Sequence, residues 1–264
     1  MPHFWLKKMD TEYSEPINYF LTDKNNQLFK LNDLLGKKIS ILFENQINCI
    51  KCGKKINKTY GSGFCYDCFS TAPEADVCVL QPEKCQAHKG ISRDIEWSKT
   101  HCLRPHYVYL AKTNNIKVGV TRQSQIPTRW IDQGADSAIK LAKTPYRKLA
   151  GDIEVEMKKH FTDKTSWQNM LKNISTEKDL LEYKKMAIEY MPEEFKKYII
   201  NDDYIWEMRY PSKYFPEKVH SLKLDKQPEF EGKLIAIKGQ YLIFNNFFVL
   251  NIRSHTGYNI TLNF

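Results

Sequence analysis

The chain has 264 residues, a net charge of +9, 42% hydrophobic residues and 13% aromatic residues. This apolar content excludes global disorder, and the length suits one large domain or two to three small ones. The positive charge favours an anionic partner, usually nucleic acid, over the alternative of a basic protein without one. Residues 1–8 lack the features of a signal peptide, and no stretch approaches the roughly 20 apolar residues of a membrane span. We therefore expect a soluble, cytoplasmic protein that does not bind membranes.

Residues 1–48 are predicted to be a β-rich N-terminal segment. Apolar and polar side chains alternate in short runs over residues 19–22, 28–31 and 39–43, which is typical of β-strands. A turn-like Asp-Lys-Asn-Asn run at residues 23–26 separates the first two strands.

Residues 49–102 are predicted to be a zinc-binding region. Two Cys-x2-Cys pairs stand twelve residues apart, which is the spacing of a zinc ribbon, and their members are Cys49, Cys52, Cys65 and Cys68. Four thiolates at this spacing can surround one tetrahedral Zn²⁺. The alternatives are two disulfides or four free thiols, and a reducing compartment favours the metal.

A second group in the same region indicates a second possible zinc site. Its predicted ligands are Cys78, Cys85, His88 and Cys102, with His101 as the alternative fourth ligand. The Cys-x2-His step is an allowed ligand spacing, although three buried apolar cysteines would also explain the pattern. Four protein ligands would leave no open position, so we expect both sites to be structural.

Residues 103–200 are predicted to form an α/β core with a helical extension. Strands at residues 107–111 and 116–121 flank a polar Asn-Asn turn, which indicates a hairpin. A helix is expected to begin near Thr128. The apolar residues Leu149, Ile153, Met157 and Phe161 recur every four residues, so they predict a helix over residues 146–161.

Residues 176–200 are predicted to contain two further helices. Thr176 could cap the first helix, with Asp179 placed like the acid of a capping box. Pro192 could open the second, at a position where the helix tolerates proline.

Residues 201–264 return to β-strand patterns at residues 204–208, 233–238, 240–244 and 247–252. This β-rich C-terminal segment and residues 1–48 could together form a small barrel. Lysines and aromatic residues interleave here, as on a nucleic-acid-binding face. We favour the alternative that the aromatic residues fill the core of the barrel.

Side chains suited to phosphodiester cleavage follow one another in the central region. Arg129 could clamp a phosphate, Glu154 could hold Mg²⁺ or Mn²⁺, and Tyr109 could relay a proton. Lys117, Arg122 and Trp130 could contact nucleic acid. The structural alternatives are a buried strand aromatic at Tyr109, an ion pair of Arg129, a solvated acidic face at Glu154 and a core tryptophan at Trp130.

The same residues resemble the GIY-YIG nuclease superfamily, in the branch whose second motif reads Lys-Ile-Gly. The similarity lies in the Tyr-Val-Tyr of residues 107–109, the Lys-Val-Gly of residues 117–119, Arg129 and Glu154. It implies a three-stranded antiparallel sheet with flanking helices, and catalytic roles for Tyr109, Arg129 and Glu154. Lys117 replaces the second tyrosine of the motif, and it could instead contact a phosphate or act with a lowered pKa.

The whole chain also resembles a bacterial family, the domain-of-unknown-function 2797 family. The matching positions are the first cysteine quartet, residues 63–68, 82–85, 101–102, 126–134, 238–242 and 251–253, and Tyr109, Gly119 and Glu154. This resemblance implies an architecture but no activity.

Together these observations predict an α+β protein in which a zinc-ribbon-type module joins a GIY-YIG-like sheet. The expected function is nucleic-acid binding, with metal-dependent endonuclease activity of the GIY-YIG type as the candidate reaction. One alternative is a non-catalytic, zinc-containing module that binds DNA, structured RNA or the ribosome. A further alternative is a protein-interaction scaffold.

Overall fold

The computed structural model describes residues 1–161 and 166–264. The strands in these residues are β1 (His3–Trp5), β2 (Asp10–Glu12), β3 (Asn18–Thr22), β4 (Leu28–Lys30), β5 (Lys38–Asn48), β6 (Lys55–Ile56), β7 (His106–Lys112), β8 (Ile116–Arg122), β9 (Ser137–Thr144), β10 (Ile205–Glu207), β11 (His220–Ser221), β12 (Glu229–Lys238), β13 (Tyr241–Phe244), β14 (Phe248–Asn251) and β15 (Tyr258–Asn263).

The helices are short, and the longest runs from Arg147 to Lys158. They are α1 (Tyr66–Thr71), α2 (Ile95–His101), α3 (Thr128–Asp132), α4 (Arg147–Lys158), α5 (Trp167–Leu171), α6 (Leu180–Tyr190) and α7 (Glu193–Lys196). Single 3-10 turns cover Leu31–Leu34, Pro73–Ala75, Val77–Val79, Pro82–Lys84, Ala87–Lys89, Gln123–Gln125 and Arg253–His255. No helix in the described part of the chain is long and apolar enough to cross a membrane.

The chain divides into two compact units. Unit 1 contains Met1–Ser70, Ile131–Gly134 and Met208–Phe264, and unit 2 contains Thr71–Trp130 and Ala135–Glu207.

The main sheet of unit 1 joins strands from both ends of the chain. Its order is β1-β15-β5-β12-β13-β14-β11, and β6 also pairs with β5. The pairs are antiparallel except for β11 with β14. A separate sheet has the order β2-β3-β4.

The barrel expected from the two β-rich segments does not form in the described residues. The terminal segments do share one sheet, but its end strands β1 and β11 do not pair with each other. Along β5 the side chains alternate: Ile39, Ile41 and Phe43 are buried, whereas Lys38 and Leu42 are exposed. Only one side of β5 is covered here, as in an antiparallel sheet with a single buried face.

Unit 2 is built on a four-stranded antiparallel sheet with the order β10-β9-β7-β8. The side chains of Val108, Leu110 and Val118 share one core with Ile139 and Leu141 of β9. Three buried residues of α4 complete this core, namely Ala150, Ile153 and Met157. Because side chains alternate along a strand, Tyr109 and Lys117 lie on the opposite face of the sheet.

Two local predictions in unit 2 need correction. The predicted helix over residues 146–161 forms, but it ends at Lys158, and Phe161 packs into the core from beyond it. Helix α6 is capped by Asp179, whose carboxylate accepts a hydrogen bond from the Leu181 N–H, and not by Thr176. The helix begins three residues later than expected from a Thr176 cap, because Asp179 satisfies a free N–H of the first turn.

Candidate metal centres and candidate cleavage site

The first four cysteines converge at the end of β5 in unit 1. Cys49 follows the last residue of β5, and the Gly53 N–H donates to its carbonyl at 2.8 Å, which closes the first Cys-x2-Cys turn. Gly53 adopts a φ of 74°, a left-handed conformation that favours glycine. The second pair lies at the start of α1, where the Cys68 N–H donates to the Cys65 Sγ at 3.4 Å.

The geometry of this cluster fits a zinc ion and excludes disulfides in it. The four Sγ atoms all lie within 4.8 Å of one another, and all four cysteines are free thiols. Sulfur atoms bound to Zn²⁺ at about 2.3 Å would lie about 3.8 Å apart in a tetrahedron. The observed Cys52–Cys65 Sγ separation is 3.9 Å. The donor set therefore fits a closed tetrahedral site, which we call the ribbon site.

The electrostatics of Cys49 also favour a metal-binding thiolate. Burial opposes the charged form, but the backbone N–H groups of Cys52, Cys65 and Lys51 donate to this sulfur. The pKa of the Cys49 thiol is lowered to about 6 as a result. Hydrogen bonds to a thiolate stabilise the form that binds metal.

The three remaining cysteines form a second cluster in unit 2. The Sγ atoms of Cys78, Cys85 and Cys102 all lie within 4.8 Å of one another, and all three residues are buried. The neighbouring thiols of Cys102 and Cys78 lower the pKa of Cys85 to about 3, and the charge of Arg147 acts in the same direction. This group, the three-cysteine site, also has the chemistry of a zinc site.

The two histidines predicted as ligands lie outside that group. The ring of His88 stacks on Tyr146 with centroids 5.2 Å apart. The ring of His101 stacks on Trp97 at 3.9 Å, and its Nδ1 lies 3.0 Å from the Trp97 carbonyl oxygen. Among the described residues, the structure therefore assembles three of the four ligands that the sequence suggested.

Tyr109 and Gly119 meet on the other face of the unit 2 sheet. They are directly opposite each other in the β7–β8 pairing, and a Cβ at Gly119 would lie 2.6 Å from the Tyr109 hydroxyl oxygen. The tyrosine ring therefore occupies the space over the glycine. Tyr109 is buried and contacts Trp130 edge-on, with ring centroids 5.7 Å apart.

Arg129 connects the predicted cleavage residues electrostatically. Burial and the charge of Arg129 lower the pKa of Lys117 to about 8. Burial raises the pKa of Glu154, the nearby Glu83 carboxylate adds to that rise, and Lys158 and Arg129 partly oppose it. Lys158 contacts the Glu154 carboxylate at 3.4 Å. The charge of Arg129 on α3 thus acts on residues of both β8 and α4.

Two residues predicted to contact nucleic acid differ in their exposure. Trp130 is fully buried against Tyr109 and Trp206, so it cannot stack on a base in this conformation. Arg122 is half-buried, and its charge interacts with Arg147 and Cys102 beside the three-cysteine site. Burial, with the charge of Arg147, lowers the pKa of Arg122.

Sequence reasoning missed Arg147 and Glu83. The Arg147 Nη1 lies 3.5 Å from the Cys78 Sγ and 3.2 Å from the Cys78 carbonyl oxygen. Glu83 lies in the Pro82–Lys84 turn, whose backbone packs against Gly151 of α4. Arg147 belongs to no motif, and the run of residues 82–85 gave no sign of a role for Glu83, because only the packing of distant segments brings the two residues to these sites.

The fold and its clusters define a mixed α+β protein with several sheets and two cysteine groups that can bind zinc. The family model described as "Protein of unknown function (DUF2797)" matches residues 36–260, and the chain belongs to this family. No curated protein and no solved structure matches the chain.

Two zinc ions per chain are expected, one for each cysteine group. We predict that Cys65→Ser removes one ion and lowers Tm by roughly 10 °C or more, because the loss of a structural zinc costs several kcal/mol. Cys85→Ser should remove the other ion and leave the ribbon site loaded. Elemental analysis and thermal unfolding measure both effects. Ser70→Ala, on the same short helix as Cys68, is the control and should retain both ions. A wild-type protein that binds no zinc would contradict this assignment.

Glu154→Gln should stabilise the protein at neutral pH. The folded-state pKa of Glu154 is raised above 4.5, so the folded state binds more protons than the unfolded state just above pH 4.5, and stability falls as pH rises through the folded pKa. Glutamine cannot ionise, so it avoids the cost of burying a charged carboxylate. This cost outweighs the loss of the Lys158 contact, which is worth about 0.5 kcal/mol.

The measurement is Tm at pH 7 and at pH 4.5, without added divalent cations. The gain from Glu154→Gln should be present at pH 7 and shrink at pH 4.5. Glu156→Gln, on the same helix and more exposed, should change stability by no more than about 0.5 kcal/mol. A gain that does not depend on pH would be evidence against the burial effect.

Proposed function

We propose that this protein binds nucleic acid and cleaves a phosphodiester bond at a centre formed by Tyr109, Lys117, Arg129 and Glu154. The observation that carries the proposal is the position of Arg129, whose charge acts on both Lys117 and Glu154. An arginine whose charge reaches both an amine and a buried carboxylate is suited to hold a phosphate beside a metal-binding oxygen.

The resemblance to the GIY-YIG superfamily is part of this proposal. In its support, β7 lies between β9 and β8 in an antiparallel arrangement, and α4 packs against the sheet. Gly119 of the second motif lies opposite Tyr109 of the first. The resemblance implies a three-stranded antiparallel sheet, whereas this sheet has a fourth strand, β10, paired with β9.

A divalent cation suits the acidic part of this centre. Glu154 is buried, and the nearby Glu83 disfavours its ionisation. A cation would neutralise that repulsion, so Glu154, with Glu83 beside it, would hold Mg²⁺ or Mn²⁺, which contributes charge stabilisation of the phosphoryl oxygens when bound.

The remaining residues would bind the phosphate and move protons. Arg129 would hold a non-bridging phosphate oxygen with its paired N–H donors. Lys117, with a pKa of about 8, is partly neutral at mildly alkaline pH and could exchange a proton with the reacting water. Tyr109 lies on the same face as Lys117, and its ring over Gly119 restricts the space between the two strands.

Cleavage should require Glu154. In a panel of single- and double-stranded DNA and RNA, we expect Mn²⁺- or Mg²⁺-dependent cleavage that falls at least about 100-fold in Glu154→Ala, because several kcal/mol of metal-dependent stabilisation is lost. Glu156→Ala is the matched control and should cleave at the wild-type rate. Cleavage at the wild-type rate in Glu154→Ala would rule out this centre.

The second candidate function is non-catalytic binding of single-stranded nucleic acid by the ribbon site's surface. This surface, the ribbon face, carries the exposed lysines Lys51, Lys54, Lys55 and Lys58 and the aromatic residues Tyr60, Tyr66 and Phe69. Tyr60 contacts the rings of Tyr66 and Phe69 at centroid distances of 5.4 and 6.1 Å. Lys58 lies over the Tyr60 ring at 5.4 Å.

The composition of the ribbon face favours an unpaired strand as its ligand. Tyr66 is 63% exposed, so its ring is available for stacking. Aromatic rings accept the flat faces of unpaired bases, and lysines neutralise the phosphates between them. A protein-interaction scaffold would also place apolar rings at the surface. It would not require lysines interleaved with those rings.

Tyr66→Ala should weaken binding of single-stranded oligonucleotides by roughly 5- to 100-fold, the value of one base stack. Tyr214→Ala removes another well-exposed ring of unit 1, which is 53% exposed, and serves as the control. Replacing Lys54 and Lys55 with alanine should also reduce the dependence of log Kd on log salt concentration. The Lys185→Ala, Lys218→Ala double variant matches that charge change. If each control variant lost as much binding affinity as the ribbon-face variant it is matched to, a specific ribbon face would be excluded.

A further inference from the structure

We propose that Cys78, Cys85 and Cys102 hold a Zn²⁺ ion whose fourth coordination position is open to a small exogenous ligand, which is water in the resting protein. This inference does not depend on the proposed cleavage centre. It changes the expected role of the second cysteine group from a closed structural site to a metal site that can bind a ligand.

The first observation is the number of ligands. Within the described residues, the group of mutually close ligand atoms at this site contains three thiols and no histidine or carboxylate. The other four cysteines of the chain belong to the ribbon site. His88 and His101 are held in stacks on Tyr146 and Trp97. Zinc prefers four ligands, so one position remains.

The second observation is that a small molecule has access to the three cysteines. A cavity of about 760 Å³ in unit 2 is lined by all three cysteines. The cavity wall also includes His88, Trp97 and Lys148. A metal bound by the three thiolates would therefore lie at the wall of a space large enough for a small molecule.

The third observation is the charge balance. Zn²⁺ with three thiolates has a net charge of −1, and the buried Arg147 lies on the cluster with its Nη1 3.5 Å from the Cys78 Sγ. Arg147 compensates this charge, and the half-buried Arg122, whose charge acts on Cys102, adds to the positive side. With water as the fourth ligand, the site therefore carries no uncompensated buried negative charge, which would be costly.

The open position defines the chemistry of the ligand. Zinc sites with three protein ligands and an open position bind water or substrate there, in contrast to closed structural sites. Neutral donors such as water and imidazole fit the charge balance, and the cavity gives them access to the metal. Arg147 is here a positioning residue, because it acts on the metal ligands and not on the bound molecule.

Cobalt substitution tests the proposal on the full-length protein. Co²⁺ replaces Zn²⁺ in thiolate sites, and its visible absorption bands report the ligands around the metal. The difference between the spectra of the wild type and Cys85→Ser isolates the three-cysteine site, because that variant keeps the ribbon site. Added imidazole should shift the bands in the wild type and leave the spectrum of Cys85→Ser unchanged. A wild-type spectrum that does not respond to imidazole would overturn the proposal.

The alternative is a fourth ligand from the protein. His106 is the strongest competitor: it is buried, its Nδ1 lies 2.7 Å from the Arg104 carbonyl oxygen, and its Nε2 has no hydrogen-bond partner among the described residues. His88→Ala, His101→Ala and His106→Ala should each leave the resting cobalt spectrum unchanged. A changed spectrum in any of them would show that the position is closed by that histidine.

X-ray absorption at the zinc edge tests the same point without a variant, should Cys85→Ser fail to fold. The wild-type protein, without added imidazole, should show sulfur and oxygen neighbours around zinc. Outer-shell scattering from an imidazole ring, or a content of a single zinc ion per chain, would overturn the proposal.

Discussion

The antiparallel pairing of β7 with β8 is the constraint on which unit 2 depends. The Tyr109 ring fills the space that a side chain at position 119 would need, so the two strands can adopt this register only with glycine there. The register in turn directs Val108, Leu110 and Val118 into the core with α4. It leaves Lys117 on the face of Tyr109, where the charge of Arg129 reaches it.

The two cysteine groups differ in how their charge is balanced. Four thiolates and one Zn²⁺ have a net charge of −2, and the ribbon site lies beside several exposed lysines, where solvent and counterions also screen it. The three-cysteine site is buried, and the Arg147 guanidinium compensates its smaller charge directly. A zinc ion could therefore stabilise the surface at the ribbon site and bind a ligand at the three-cysteine site.

The local patterns in the sequence predicted the parts of the fold that have a strong period or a fixed spacing. The hairpin of residues 107–121 and the helix containing Ile153 and Met157 formed as expected. The strand β9 was not predicted, because its Ala and Lys residues have a low β-propensity and its pairing with β7 is what makes it a strand. The predicted barrel was wrong, because alternation in a strand shows that one face is buried but does not show whether the sheet closes.

The sequence by itself determined which thiols group together in the ribbon site, since its four ligands come from two short turns with a fixed spacing. It also placed Tyr109 and Gly119 on neighbouring strands. Only the tertiary structure decided that Trp130 is buried, that Arg147 contacts the three-cysteine site and that His88 and His101 stack on aromatic rings. The physical reason is range: a turn or a hairpin is set by neighbouring residues, whereas burial and charge compensation depend on segments that meet only when the whole unit folds.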